Sequence, residues 1–121
     1  MVLAVLGLNH KTVSVDIREK FSISEESARE GLLHLSEQEG IEEAVVLSTC
    51  NRTEIYAVLK DEGDKEELYH FFLTLSGNSK AEKEYFFFYT GTECIRHLFR
   101  VVSGPVSYTH LRAHETAANL V

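Results

Sequence analysis

The sequence predicts an α+β fold with the β-α-β-β-α-β order of a ferredoxin-like sandwich, followed by the start of a helical segment. Three observations predict it. Four short apolar runs, rich in Val, Leu, Ile, Tyr and Phe, stand at residues 2–8, 44–48, 54–59 and 85–89. Two stretches with apolar residues three and four apart lie between the first and second runs and between the third and fourth. No repeat or low-complexity tract interrupts that order, which is the split βαβ arrangement.

The first run reads as a buried strand ending in Gly7-Leu8-Asn9-His10. A short helix is expected over 14–21, carrying Val15, Ile17, Arg18 and Phe21. Ser24 then has the character of an N-cap. Ser27 stands where a capping box would place Glu or Gln, so the cap is simple. The helix it opens carries Ala28, Leu32, Leu33 and Leu35 on its apolar stripe, with Gly40 as the stop. Its opposite face, with Glu25, Glu26, Glu30, Glu37 and Glu39, is expected to be solvated. The runs at 44–48 and 54–59 are close enough to pair as a hairpin around residues 49–53. After a loop at 61–64, a helix over 65–76 buries Leu68, Phe71, Phe72 and Leu75, and Gly77-Asn78-Ser79 ends it. Phe86-Phe87-Phe88 belongs to the fourth strand, as core rather than a base-stacking platform. A last helix over 91–104 carries Ile95, Leu98, Phe99 and Val102.

A chain of 121 residues suits one domain. Hydrophobic residues at 44% and charged residues at 26% place it among soluble globular chains. A net charge of −7 argues against non-specific nucleic-acid binding, which depends on Lys and Arg. No apolar run approaches the roughly 20 residues of a membrane span, and 1–6 lacks the basic region of a signal peptide. Cys50 and Cys94 form no disulfide framework, so a reducing, cytoplasmic setting is expected. Cys94 stands three residues before His97, but two ligands are too few for a zinc site and no metal is expected.

Chemistry concentrates in Ser48-Thr49-Cys50-Asn51-Arg52-Thr53-Glu54-Ile55-Tyr56. The residues alone leave two readings open. In one, Cys50 is a nucleophile at the tip of a rigid hairpin, with Arg52 favouring the thiolate and turn N–H groups facing a developing oxyanion. In the other, Cys50 is a small buried hydrophobe and Arg52–Glu54 is a surface ion pair.

The same segment, together with Gly7-Leu8-Asn9-His10-Lys11-Thr12, Arg18-Glu19-Lys20-Phe21 and His97-Leu98-Phe99-Arg100-Val101-Val102-Ser103-Gly104, resembles the glutamyl-tRNA reductases in order and spacing. The likeness extends over about residues 1–104. It implies an NADPH-dependent enzyme that opens tetrapyrrole (porphyrin) synthesis. The Cys matching Cys50 attacks glutamyl-tRNA to form a thioester, and NADPH reduces it to glutamate-1-semialdehyde. Thr49, Asn51, Arg52 and Glu54 are then expected to bind the glutamyl group. His97 is expected to act in general acid–base chemistry or to polarise the carbonyl. Glutamyl-tRNA is the implied partner, and the full-length protein is implied to be a homodimer formed through regions beyond this chain. Lys11 and Arg18 match the family but read as surface ion-pair residues, and His10 as a loop hydrogen-bonding group.

Departures from the family shape the remaining expectations. No Gly-x-Gly-x-x-Gly occurs, so NADPH is expected to bind a domain absent here, and reductase activity from this chain alone is not expected. The domain division is 1–90 ferredoxin-like catalytic subdomain, 91–104 start of a truncated helical subdomain, and 105–121 non-native tail resembling translated vector sequence, in which Pro105 breaks the helical pattern. In the family, further helices follow the last one here. Without them, Ile95, Leu98, Phe99 and Val102 are expected to be exposed. The competing function is a stand-alone ferredoxin-like binding or regulatory module without reductase activity.

Overall fold

The computed structural model describes residues 1–9, 11 and 13–103. The expectations for His10 and for the 105–121 tail lie outside them. Four strands, β1 (Val2–Asn9), β2 (Ile41–Ser48), β3 (Arg52–Leu59) and β4 (Phe87–Thr90), form one sheet in the order β2-β3-β1-β4, with every neighbouring pair antiparallel. That order is what two interleaved split βαβ units produce, and the ferredoxin-like expectation holds. The helices are α1 (Val15–Lys20), α2 (Glu25–Leu33), α3 (Lys65–Ser76) and α4 (Gly91–Ser103). Among the described residues no helix is long and apolar enough to cross a membrane.

Strand alternation sorts the side chains onto two faces. Ala4, Leu6 and Leu8 of β1 and Ile55, Ala57 and Leu59 of β3 join the main core with Ala28 of α2 and Leu68, Phe71, Phe72 and Leu75 of α3. Phe86 anchors this core through edge-on contacts with Phe21, Tyr69 and Phe72, at ring separations of 5.9, 5.4 and 5.1 Å. The other face carries a smaller cluster of Val5, Leu47, Tyr56, Cys94 and Val101, flanked by Phe87 and Tyr89, where α4 packs on β1 and β4. The central strands are therefore covered on both sides.

The element limits differ from the sequence expectation where local patterning was weak. β2 starts three residues earlier than the apolar run, and its added Glu42 and Glu43 stay exposed at the sheet edge, where charge is tolerated. α2 ends at Leu33 and not at Gly40. His34 closes it, with Nδ1 2.7 Å from Glu37 Oε2, and a 3₁₀ turn follows over Leu35–Glu37. Gly40, at φ 87°, instead turns the chain into β2. Leu33 leaves the apolar stripe and is exposed. α3 has the expected limits, and Gly77 in the left-handed conformation caps it.

Ser24 caps α2 as expected, its Oγ accepting from the Ser27 N–H at 3.0 Å. Ser24→Ala leaves that N–H without its partner and is expected to cost about 1 kcal/mol, read as a lower urea midpoint at unchanged slope. α4 turns Cys94, His97 and Val101 inward, while Ile95, Leu98, Phe99 and Val102 are all exposed, as expected for its outer face.

Candidate active site

The β2–β3 hairpin closes through only three residues, 49–51. Thr49 locks the turn. Its N–H donates to the Arg52 carbonyl at 2.7 Å, and its Oγ1 accepts from the N–H groups of Asn51 and Arg52, both at 3.2 Å. Those two N–H groups are therefore occupied by the turn itself and do not form the oxyanion cradle envisaged from the sequence. Cys50 sits at the tip and is exposed, which removes the reading of it as a buried hydrophobe. Asn51 is exposed beside it.

Thr49, Cys50, Arg52 and Thr53 form one wall of a cavity of about 150 Å³. Val15, Arg18, Glu19 and Ser22, from α1 and the turn after it, form the other. This volume is well above the roughly 10–15 Å³ one water needs, enough for a small acyl group.

Arg52 and Glu54 do pair, but not at the surface. Arg52 Nη1 donates to Glu54 Oε2 at 3.0 Å, and Glu54 is 0% exposed. Two further groups complete the carboxylate. Tyr56 donates its hydroxyl to Oε1 at 2.8 Å, and His97 Nε2 lies 2.9 Å from Oε2. The His97 ring is held between Phe87 and Tyr89, at 4.7 and 5.3 Å between centroids. Burial pushes the Glu54 carboxyl up. Hydrogen bonds from His97 and Tyr56, then the charges of His97 and Arg52, outweigh it and hold the group below its ordinary value. Burial, reinforced by the Glu54 charge, pushes the Tyr56 hydroxyl upward and the Cys94 thiol up to about 11. Cys94 is thus a poor nucleophile at neutral pH.

The six residues singled out in the sequence therefore divide. Thr49, Cys50 and Arg52 share the cavity, and Asn51 flanks it. Glu54 and His97 lie behind Arg52, on the α4 side of the sheet. The Glu54 carboxylate is enclosed and is bonded to Arg52, which lines the cavity. Among the described residues Cys50 makes no hydrogen bond with His97, so a Cys–His pair of the thiol-hydrolase kind is not formed.

Sequence reasoning missed Arg18 and Tyr56. Arg18 was read as a surface ion-pair residue. It lines the Cys50 cavity, is only partly exposed, and makes no ion pair among the described residues. The signal for it was its place in Arg18-Glu19-Lys20-Phe21. Among the described residues no group of three or more His, Cys, Asp or Glu is placed to hold a metal. Their sheet is antiparallel throughout, unlike the parallel sheet of the doubly wound dinucleotide-binding folds.

Comparison with known proteins bears on this geometry. The family profile described as glutamyl-tRNAGlu reductase, N-terminal domain, matches residues 6–109. The glutamyl-tRNA reductase of Desulforudis audaxviator is 45% identical over 105 residues, which cover 86% of this chain and 24% of that protein. That of Synechocystis sp. is 44% identical over 106 residues, covering 86% and 25%. Among solved structures, the glutamyl-tRNA reductase from Methanopyrus kandleri superposes with a TM-score of 0.62 at 30% identity, covering 84% of this chain and 22% of that one. The chain thus spans about a quarter of the length of the curated relatives it matches.

Proposed function

The chain belongs to the glutamyl-tRNA reductase N-terminal domain family, and from that premise we propose that it supplies the acyl-accepting half of that enzyme's reaction, with Cys50 as nucleophile. The observation that carries this reading is the exposed thiol at the tip of a three-residue hairpin, opening on a cavity walled by two arginines. The Cys50 sulfur bonds to the ester carbonyl carbon of glutamyl-tRNA. The bond to the terminal ribose oxygen breaks, and that oxygen leaves with a proton. The product is a glutamyl thioester on Cys50 and free tRNA.

Thr49 contributes by fixing the hairpin tip, so that the thiol is presented by a locked turn rather than a mobile loop. Asn51 flanks the opening, and Arg52 contributes to the cavity wall. Glu54 acts as a positioning residue, holding Arg52 on one side and His97 on the other. His97 Nε2 meets Glu54 outside the lining of the Cys50 cavity, so in this arrangement it acts through Glu54 and Arg52 as a positioning residue, and no proton transfer is assigned to it. Reduction of the thioester is the part of the family reaction that uses NADPH. No reductive step is assigned to the described residues.

The test is to incubate the full 121-residue chain with glutamyl-tRNA and map any hydroxylamine-labile glutamyl adduct by mass spectrometry. The expected result is an adduct on Cys50, none on buried Cys94, and none in Cys50→Ser. An unmodified Cys50, or an adduct that survives Cys50→Ser, would overturn the assignment and favour the binding-module reading.

A further inference from the structure

We propose that Tyr56 is a positioning residue for the acyl transfer assigned to Cys50, acting through the Glu54 carboxylate on the Arg52 guanidinium that walls the Cys50 cavity. This rests on Cys50 being the acyl acceptor and adds a residue that itself never meets the acyl group. Tyr56 and Glu54 are two residues apart on β3, so their side chains leave the same face of the sheet. The Tyr56 hydroxyl donates to Glu54 Oε1 at 2.8 Å. Tyr56 stands outside the lining of the cavity, to which the hairpin side contributes Thr49, Cys50, Arg52 and Thr53. Its influence on Cys50 therefore passes through another group.

The two carboxylate oxygens have separate tasks. Oε2 accepts from Arg52 Nη1 at 3.0 Å and lies 2.9 Å from His97 Nε2. Tyr56 is the partner of Oε1 among the described residues. The last torsion of a Glu side chain is broad and nearly two-fold, so the plane of the carboxylate is set by what bonds to its oxygens. The groups on Oε2 fix one oxygen, and Tyr56 fixes the other and with it the plane. Tyr56 can serve as the fixed point because it is itself packed, 9% exposed, in the cluster of Val5, Leu47, Cys94 and Val101. Burial, then the Glu54 charge, pushes its ionisation upward, so at neutral pH it remains a donor. Arg52 is a long side chain, 21% exposed, and needs an anchor to hold one geometry at the cavity wall. Without the Tyr56 hydroxyl, Oε1 is an enclosed acceptor with no donor. The carboxylate then gains by turning that oxygen towards the donors on the other side, and Arg52 loses its fixed partner.

The test uses the full chain as wild type, Tyr56→Phe, Arg52→Gln and the double variant. For each, the initial rate of glutamyl adduct formation on Cys50 from glutamyl-tRNA is read beside the urea midpoint. Tyr56→Phe keeps the ring and is expected to slow the adduct about tenfold, the scale of one hydrogen bond to a charged group. With Arg52→Gln already in place, the same change is expected to slow it by less than about twofold, while still lowering the urea midpoint. An undiminished rate in Tyr56→Phe would overturn the proposal. So would equal slowing in both backgrounds, which would mean that Tyr56 serves only the stability of the fold. Side-chain nitrogen NMR gives an arm independent of activity. The Arg52 guanidinium is expected to show separate Nη signals in wild type, because its bond to Glu54 restricts rotation, and averaged signals in Tyr56→Phe. Signals that stay separate in Tyr56→Phe, or that are already averaged in wild type, count against the link. A wild-type chain that forms no adduct overturns the assignment of Cys50 and leaves the guanidinium signals to decide the role of Tyr56, so the two failures are distinguishable.

Discussion

Glu54→Ala is expected to lower the free energy of unfolding by about 3 kcal/mol, through loss of the one acceptor that three groups share. Its carboxylate is 0% exposed and takes the Tyr56 hydroxyl on one oxygen and Arg52 and His97 on the other. Truncation leaves the Tyr56 hydroxyl enclosed without an acceptor, and water cannot readily replace the carboxylate there. Arg52 recovers some solvation because 21% of its side chain is exposed, which sets the estimate at the lower end of what breaking a buried pair costs. Glu54→Gln keeps an acceptor oxygen and most of the shape, and is expected to cost about half as much.

The pH dependence of that loss has a definite sign. The folded Glu54 carboxyl is held below its ordinary value of 4.5. Its contribution to stability is therefore fully present above 4.5 and is lost as pH falls through the lower folded value. Urea denaturation of wild type and Glu54→Ala at neutral pH and at pH 3 checks this. The gap between them should be widest at neutral pH and narrow on acidification. A gap that is absent at neutral pH, or that widens in acid, would show that the carboxylate does not stabilise the fold.

The two layers of this structure were unequally legible in the sequence. α3 could be placed to the residue because Leu68, Phe71, Phe72 and Leu75 repeat at helical spacing and Gly77 supplies the one conformation that ends the helix cleanly. The sheet order followed from element order alone, since a split βαβ pair has few ways to close. Glu54 resisted the same reasoning. It opens an otherwise apolar strand, and a charge at a strand end usually faces water. Its burial comes with α4, which reaches back across 43 residues of sequence to set His97 on it. No local pattern encodes that contact. Arg18 was hidden for a similar reason: its helix is six residues long, too short for a periodic signal, and the wall opposite it comes from the hairpin at residues 49–53. Cys50, by contrast, lay within a distinctive segment, and the locked turn explains why a thiol there is presented rather than packed away.

Gly7→Ala is the second substitution with a large expected effect, and its cause is space rather than backbone freedom. Gly7 of β1 lies opposite Glu54 of β3 on one side and Phe87 of β4 on the other. A Cβ built there would stand 2.8 Å from the Thr53 carbonyl oxygen, 2.9 Å from Glu54 Cγ and 2.9 Å from Phe87 Cζ. The first of these is sheet backbone, which cannot swing aside, and the other two support the carboxylate and the His97 ring. Replacing glycine by alanine ordinarily gains a little stability by restricting the unfolded chain, and overpacking is expected to outweigh that, for a net loss of about 2 kcal/mol. Because the added methyl group presses on the Glu54 side chain, the losses from Gly7→Ala and Glu54→Ala should not add. In Glu54→Ala the Cγ is gone, one of the three close approaches disappears, and the glycine substitution should cost less by roughly 1 kcal/mol. A double-mutant cycle by urea denaturation measures that coupling. Strict additivity would mean that Gly7 and Glu54 act independently, and the glycine would then owe its place to the Thr53 carbonyl and Phe87 alone.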